Sequence, residues 1–186
     1  MPIAINGSGT VTGISTGGIS DAKAVADAAM PAGAILQVLQ VVKTDTTSET
    51  SSTYADISGM TINITPSASS SKILFIADLS IGHTAGNHVI RMIRGSTDIY
   101  SADAASSRPI SSGGTNADFT SATYTNTNIH KTYLDSPSST SQLTYKIQWR
   151  TGYSGTVYLN RTHNDRDNAN YDARTASSIT VMEVAG

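Results

Sequence analysis

The chain contains no cysteine among its 186 residues. That absence excludes disulfide scaffolds, thiolate nucleophiles, zinc sites built from cysteine and thioredoxin-like redox motifs. Because no covalent cross-link is available, stability has to come from burial of a core or from association with other chains.

Charged residues are also scarce, at 14% of the chain with a formal net charge of -2, against roughly 25% in average soluble proteins. Ser and Thr supply the polar character instead, at about a quarter of the residues. Hydroxyl side chains compete with the helix backbone for hydrogen bonds, and β-branched Thr suits strands. No Lys/Arg run forms the basic stripe of a nucleic-acid-binding protein. The composition therefore favours a β protein with no nucleic-acid partner.

Long apolar runs are missing as well. None approaches the roughly 20 residues that span a bilayer, so we expect no membrane insertion. The first residues, MPIAINGSGTVTG, have neither the basic start nor the continuous apolar stretch of a secretory signal. We therefore expect a protein that is assembled in a cytoplasm.

From Ala34 onward, short β-type segments alternate with turn signals. Residues 72–82 form the strongest apolar run and are expected at the centre of a sheet. Residues 60–65 and 142–151 alternate apolar with polar side chains, as a strand with one wet face does. The other predicted strands are 34–43, 53–57, 89–94, 97–101, 118–124, 128–134, 156–160 and 178–184. Loops are expected at 44–52, 103–115 and 161–174, and a turn at Ser58-Gly59 should join 53–57 to 60–65.

No helical pattern lies between these strands, so crossover connections are absent and the sheets should be antiparallel. The sequence predicts an all-β fold, an antiparallel β-sandwich of jelly-roll-like type over residues 34–186.

Residues 1–33 are expected to form an extended N-terminal anchoring arm. Glycines interrupt any regular element there, and the few larger side chains cannot bury enough area to offset the entropy of ordering. We predict that another chain holds the arm through Ile3, Ile5, Val11 and Ile14. The alternative is that the arm rests on its own domain.

One short helix is predicted within the arm, over residues 20–30. Ser20 or Asp21 can cap it, and Pro31 stops it. Its narrow stripe of Ala and Val suits packing against copies of itself about a symmetry axis, and it suits equally a helix that caps one end of the sandwich.

Catalytic and metal-binding signals are weak. His83 and His88 lie five residues apart across a probable loop without an evident third ligand. Residues 165–172 are rich in Asp and Asn but lack the glycine and terminal Glu of an EF-hand, so we interpret them as a structural loop with local pairing by Arg166 and Arg174. No nucleophile elbow and no acid pair beside a groove stands out. We predict no catalytic residue, no cofactor and no metal.

Loops rich in Tyr, Asn and Asp favour a binding role, because such residues form adaptable surfaces and aromatic faces stack on sugars. The candidate ligand-contact residues are Tyr153, Asn164, Asp165, Asp167, Asn170 and Tyr171. The alternative is that the tyrosines pack in strands and the asparagines serve turn geometry.

Several segments resemble those of bacteriophage tail-fibre-like virion structural proteins. They are residues 5–15 (INGSGTVTGIS), 31–41 (PAGAILQVLQV), 64–76 (ITPSASSSKILFI), 91–98 (RMIRGSTD), 156–161 (TVYLNR) and 177–186 (SSITVMEVAG). These are scaffold motifs and carry no catalytic residue. The resemblance implies a non-enzymatic virion component, a homotrimer whose arm binds other virion proteins and whose β domain points outward.

Contact with host surface polysaccharide is a further expectation from this resemblance. Because the chain is short for a complete host-binding fibre, two alternatives stay open: a capsid decoration or cement protein, and a free carbohydrate-binding, lectin-like module.

Overall fold

The structure, a computed structural model, describes residues 4–5, 11–12, 30–117, 126–152 and 155–186. This part of the chain is all-β and contains no helix, so no helix in it is long and apolar enough to cross a membrane. Its strands are β1 (Ala4–Ile5), β2 (Val11–Thr12), β3 (Ile35–Lys43), β4 (Thr47–Glu49), β5 (Ala55–Ile64), β6 (Lys72–His83), β7 (Gly86–Arg94), β8 (Thr97–Tyr100), β9 (Gly113–Ala117), β10 (Asn126–Asp135), β11 (Leu143–Thr151), β12 (Val157–Leu159) and β13 (Ser177–Val184).

Sheet 1 is built around β6, the strongest apolar run of the sequence, and the prediction that this run is central is confirmed. Strand β10 pairs along one edge of β6. The other edge is shared, because β13 pairs with residues 72–78 and β12 with residues 81–83. Strands β3 and β4 complete the sheet by pairing with β13 and β12. All these ladders are antiparallel.

Sheet 2 has the order β5, β11, β7, with β8 and β9 sharing the far edge of β7. The alternation expected in residues 142–151 is confirmed, because Tyr145, Ile147 and Trp149 are all buried in the core. Their partners come from sheet 1, and the ring of Phe75 meets that of Tyr145 edge-on with 5.3 Å between centroids. Two antiparallel sheets with a shared apolar layer make the body sandwich-like, as predicted.

The predicted turn at Ser58-Gly59 is wrong. Residues 55–64 form the single strand β5, which pairs with β11 on both sides of these residues. The ladder shifts register between Lys146 and Gln148, and Gly59 takes a φ of 80°. A β-bulge therefore accommodates Gly59 within the continuous strand. Ile57 and Met60, on either side of it, both remain buried in the core.

Two predicted loops are also partly strand. Strand β4 lies inside 44–52, where Glu49 pairs with Val157 and Thr47 with Leu159. Strand β9 begins at Gly113, inside 103–115, and pairs with β7. Neither segment has apolar alternation, because each pairs through its backbone at a sheet edge and its hydroxyl and glycine residues carry no burial signal.

The N-terminal arm is described only at residues 4–5, 11–12 and 30–33, and β1 and β2 pair as Ala4 with Thr12 and Ile5 with Val11. The expectation that glycines prevent any regular element is wrong at these positions. Ile3, Ile14, most of the predicted helix 20–30 and the predicted strand 118–124 lie outside the described residues.

Asn160 joins the elements of sheet 1 at the point where β12 ends. Its backbone is left-handed, with φ 64°, and its side chain is fully buried. The amide nitrogen Nδ2 donates to the carbonyl oxygens of Lys43 (2.7 Å) and Asp45 (2.9 Å). The amide oxygen accepts a 2.6 Å bond from the Ser177 hydroxyl, whose oxygen in turn accepts from the backbone N–H of Ser80 at 2.9 Å. One side chain thus connects β12 with the segments of β3, β13 and β6.

We expect Asn160→Ala to lower the free energy of unfolding by about 3 kcal/mol. The substitution leaves buried carbonyl groups without a donor. It also places Ala in the left-handed region, which Asn tolerates better because its side chain can hydrogen-bond locally. Urea unfolding followed by circular dichroism measures this. Asn160→Gly loses the same hydrogen bonds without the backbone strain, so it should be about 1 kcal/mol less harmful than Asn160→Ala. Two variants as stable as the unchanged protein would contradict this role for Asn160.

Candidate functional site

A compact loop between β12 and β13 forms a polar cleft on the described surface. Its two ends are held together by an antiparallel bridge between Arg161 and Arg174 and by a 3.2 Å hydrogen bond from the Thr175 N–H to the Asn160 carbonyl. Loops of this length with adjoining ends pack against their own side chains. The expectation of a loop at 161–174 is confirmed.

Asp165 lies at the centre of this loop between two arginines. Its carboxylate is 2.8 Å from Nη2 of Arg174 and 3.3 Å from Nη1 of Arg161. Its backbone is left-handed, with φ 48°, a conformation that Asp tolerates better than most residues. Two guanidinium groups therefore compensate one carboxylate and connect both ends of the loop to its middle.

Asp172 forms a second ion pair, with its carboxylate 2.7 Å from Nε of Arg166. The Thr162 hydroxyl also donates to this carboxylate. The Asp172 side chain is only 3% exposed. The Thr162 hydrogen bond and the Arg166 charge hold the pKa of Asp172 below its ordinary value.

Asn168 shapes the tip of the loop between these two pairs. Its side-chain oxygen accepts a 3.0 Å bond from the Asn170 N–H, and its carbonyl accepts a 3.1 Å bond from the Asp172 N–H. This is the local turn chemistry of Asn. For Asn168, turn geometry is therefore the role that the structure displays.

Two tyrosines flank the loop in different ways. Tyr158 carries the Arg161 guanidinium 3.9 Å above its ring centre, and its hydroxyl lies 3.2 Å from Nδ1 of His163. Tyr171 is 58% exposed, with the Arg166 guanidinium 5.4 Å from its ring centre. Tyr158 therefore supports the base of the loop, whereas Tyr171 presents an aromatic surface to solvent.

The cleft has a volume of about 330 Å³ and is walled by three Asp, two Arg, one Asn and one Ala. The wall residues are Asp165, Arg166, Asp167, Asn168, Ala169, Asp172 and Arg174. Such a surface offers both donors and acceptors to a polyhydroxyl ligand. A cation would have to compete with guanidinium groups for Asp165 and Asp172, and no cluster of three metal-ligating side chains occurs among the described residues.

The structure separates the candidate residues into three groups. Asp165 and Asp167 line the cleft. Asn164, Asn170 and Tyr171 belong to the same loop but do not line the cleft. Tyr153 lies outside the described residues. The local pairing expected for Arg166 and Arg174 is confirmed. Sequence reasoning missed Arg161 and noted Asp172 only as part of the Asp- and Asn-rich run 165–172.

His83 and His88 do come together, at the β6–β7 end of the sandwich. Their ring centres are 5.1 Å apart, and both side chains are almost fully buried. Nδ1 of His83 and Nε2 of His88 each lie 3.0 Å from the Thr84 carbonyl oxygen. Because a carbonyl only accepts, each neutral ring carries its proton on that nitrogen. The pair thus fixes a turn, and the described residues add no third metal ligand.

No protein-family model and no curated protein matches the chain.

We expect a loss of stability between pH 6.5 and pH 5 that depends on His88. Burial lowers the pKa of His88 from its ordinary value of 6.5, with the neighbouring His83 contributing in the same direction. As pH falls through 6.5, the unfolded chain binds the proton first, so the free energy of unfolding decreases by at most about 1.4 kcal/mol per pH unit. Thermal unfolding at half-unit pH steps measures the slope.

His88→Gln should flatten this slope, because it removes the titrating imidazole. The carboxylates of Asp45, Asp56, Asp172 and Glu183 also have lowered pKa values, but their ordinary values are 3.8 to 4.5. They therefore contribute mainly below pH 5. An equal slope in the unchanged protein and in His88→Gln would contradict the assignment.

Proposed function

We propose that this chain is a non-enzymatic structural protein of a bacteriophage virion, a fibre or fibre-like component. In this proposal, residues 1–33 anchor a homotrimer to other virion proteins, and the β domain points outward. The protein assembles in the host cytoplasm and resides in the virion. The resemblance of its scaffold motifs to tail-fibre-like proteins and the arrangement of its two sheets support the proposal.

The strand order is the observation that carries this proposal. We leave out β1 and β2 of the arm and count three pairs as one strand each. Strands β12 and β13 share one edge of β6, β3 and β4 pair with that combined strand, and β8 and β9 share one edge of β7. The order is then first, eighth, third, sixth in sheet 1 and second, seventh, fourth, fifth in sheet 2. We propose on this basis that the body is an eight-stranded jelly roll, an architecture that viral capsid and lectin domains share.

A binding role fits the cleft better than hydrolysis. A general acid for glycoside cleavage needs a raised pKa, whereas Asp172 has a lowered one. Asp165 is bound by two arginines. The exposed ring of Tyr171 stands beside a wall of donors and acceptors. We therefore propose host surface polysaccharide as the ligand. The same exposed ring and polar wall support the second candidate, a free lectin-like module.

The anchoring proposal predicts that Ile5→Asp combined with Val11→Asp removes the chain from particles. Charges on these apolar side chains oppose their burial in another virion protein. Quantitative mass spectrometry of gradient-purified particles of the encoding phage measures incorporation. Thr61→Asp, at an exposed position of the body, is the control and should incorporate normally. Absence of the unchanged chain from particles would falsify the virion proposal and favour the free lectin-like module.

The ligand proposal predicts that Tyr171→Ala weakens binding to host surface polysaccharide about tenfold, the size of a modest hot-spot contact. Surface plasmon resonance with immobilised polysaccharide measures the affinity. Tyr100→Ala is the matched control, because Tyr100 is also exposed (38%) but lies on sheet 2, stacked on Tyr133. Equal affinity of both variants, or no binding by the unchanged protein, would contradict the polysaccharide assignment. Neither result bears on the anchoring proposal.

A further inference from the structure

The outer face of sheet 1 carries a row of apolar side chains that crosses four strands. Val38, Met182, Leu74 and Leu134 stand opposite one another in one row across β3, β13, β6 and β10. Ile35 and Val184 adjoin this row on one side. On the other side, Ile76 stands among the polar residues Gln40, Thr180 and Thr132, and Val42 lies beyond them. We call the whole set the apolar outer face: Ile35, Val38, Val42, Leu74, Ile76, Leu134, Met182 and Val184.

These side chains are open to solvent in the single chain. Exposure is 47% for Ile35, 53% for Val38, 56% for Val42 and 45% for Leu134. The outward positions of β6 carry two charges, Lys72 and Asp78, which lie on opposite sides of the row along that strand. The middle of the face has no charge to attract a charged partner.

Sheet 2 shows what a solvated outer face looks like in the same protein. The Thr144 hydroxyl donates to Asn63 at 2.7 Å. Lys146 and Gln148 both bond to Asp56 at 2.7 Å. The two outer faces therefore differ. Polar pairs cover that of sheet 2, whereas on sheet 1 the middle row is apolar throughout and polar side chains, among them Gln40 bonded to Thr180 at 3.0 Å, begin only in the next row. An antiparallel sheet that meets water normally carries polar residues on that side, and a contiguous apolar patch marks an interaction site.

We propose that neighbouring copies of this chain cover the apolar outer face, so that it forms the core of the homotrimer; this inference rests on the homotrimer of the proposed function. An exposed row of apolar side chains is best covered by another apolar surface. Among the described residues, the outer face of sheet 1 is itself such a surface, and each identical copy supplies one.

The width of the face suits three copies. Four strands at the usual spacing span roughly 19 Å. Three faces of that width, set as a triangular prism, leave about 5.5 Å between each sheet and the threefold axis. Packed sheets lie about 10 Å apart, so one layer of side chains fills about 5 Å. A single layer of Val, Leu and Met therefore fills the space at the axis.

The area of the whole outer face is of the same order as that of a stable interface. The run from Ile35 to Val42 is about 25 Å long at the usual rise per residue. With the width above, each copy contributes a flat footprint on the order of 500 Å². This approaches the roughly 800 Å² of accessible surface per partner in a stable interface. The flat footprint leaves out the protrusion of the side chains and the edge of β3 that faces away from β13, both of which add accessible surface.

Light scattering coupled to size exclusion on the full chain tests this proposal. The unchanged protein should have three times the mass of one chain, and Val38→Asp combined with Leu134→Asp should have the mass of one chain. Both residues are about half exposed in the single chain, so the monomer fold tolerates the change. The matched control, Thr61→Asp combined with Asn63→Asp, places two charges on the outer face of sheet 2 and should keep the trimeric mass.

A second measurement uses the absence of cysteine. Met182→Cys places one thiol per chain in the middle row of the face. Oxidation of two thiols by copper phenanthroline and dioxygen should give disulfide-linked pairs on a non-reducing gel. Asn63→Cys, on the opposite sheet, should give none.

The outcomes separate this proposal from the homotrimer itself. If the trimer persists with Val38→Asp and Leu134→Asp, and Met182→Cys gives no cross-link, the protein is a homotrimer but the apolar outer face is not its interface. If the unchanged protein is a dimer and these charges dissociate it, the apolar outer face is the interface, but the protein is not a trimer. A monomeric unchanged protein overturns both. If the Met182→Cys thiol of that monomer resists alkylation, residues 1–29 cover the face instead; if it reacts freely, a different protein is the occupant.

Discussion

The architecture depends on one buried amide, that of Asn160, which resolves a conflict in sheet 1. Strand β6 is long, and its second edge has to be shared by two separate strands, β12 and β13. The chain leaves the sheet between them and must return in register. Asn160 makes this possible, because its left-handed backbone turns the chain out while its side chain bonds to the Lys43 and Asp45 carbonyls and accepts from Ser177. The departing chain becomes the polar loop, and the returning chain supplies the centre of the apolar outer face.

The low charge of the protein has a different meaning on each surface. On the outer face of sheet 2, hydroxyl, amide and ion-pair contacts satisfy the polar groups at modest cost, as between Thr144 and Asn63. In the loop, Asp165 and Asp172 hold three of the protein's few arginines. Little charge is left for the outer face of sheet 1, where Val38, Leu74 and Met182 face outward. Concentrating charge in one loop and hydrocarbon on one sheet fits a molecule that binds copies of itself on one side and a polar ligand on another.

Periodicity predicted the central strands well and the edges poorly. Residues 72–82 and 142–151 bury alternate side chains between two sheets, so the local pattern of apolar residues predicts which side chains are buried. Edge strands β4 and β9 pair through backbone groups, which every residue has, and left no pattern to detect. The bulge at Ser58-Gly59 has the composition of a turn, and only pairing with β11 on both sides makes it a continuous strand. For the loop, composition indicated local Arg–Asp pairing, but not that Arg161 and Arg174 would share Asp165.

By itself, the sequence determined the all-β class, the antiparallel connectivity, the central position of residues 72–82 and the place of the polar loop. Each of these follows from local periodicity or turn chemistry, which neighbouring residues alone can express. Only the tertiary structure decided that His83 and His88 share the Thr84 carbonyl and that Val38, Met182, Leu74 and Leu134 stand in one row. Those relations join residues far apart in the chain or across a turn. They depend on strand register, and a shift of one residue would turn every side chain of a strand to the opposite face.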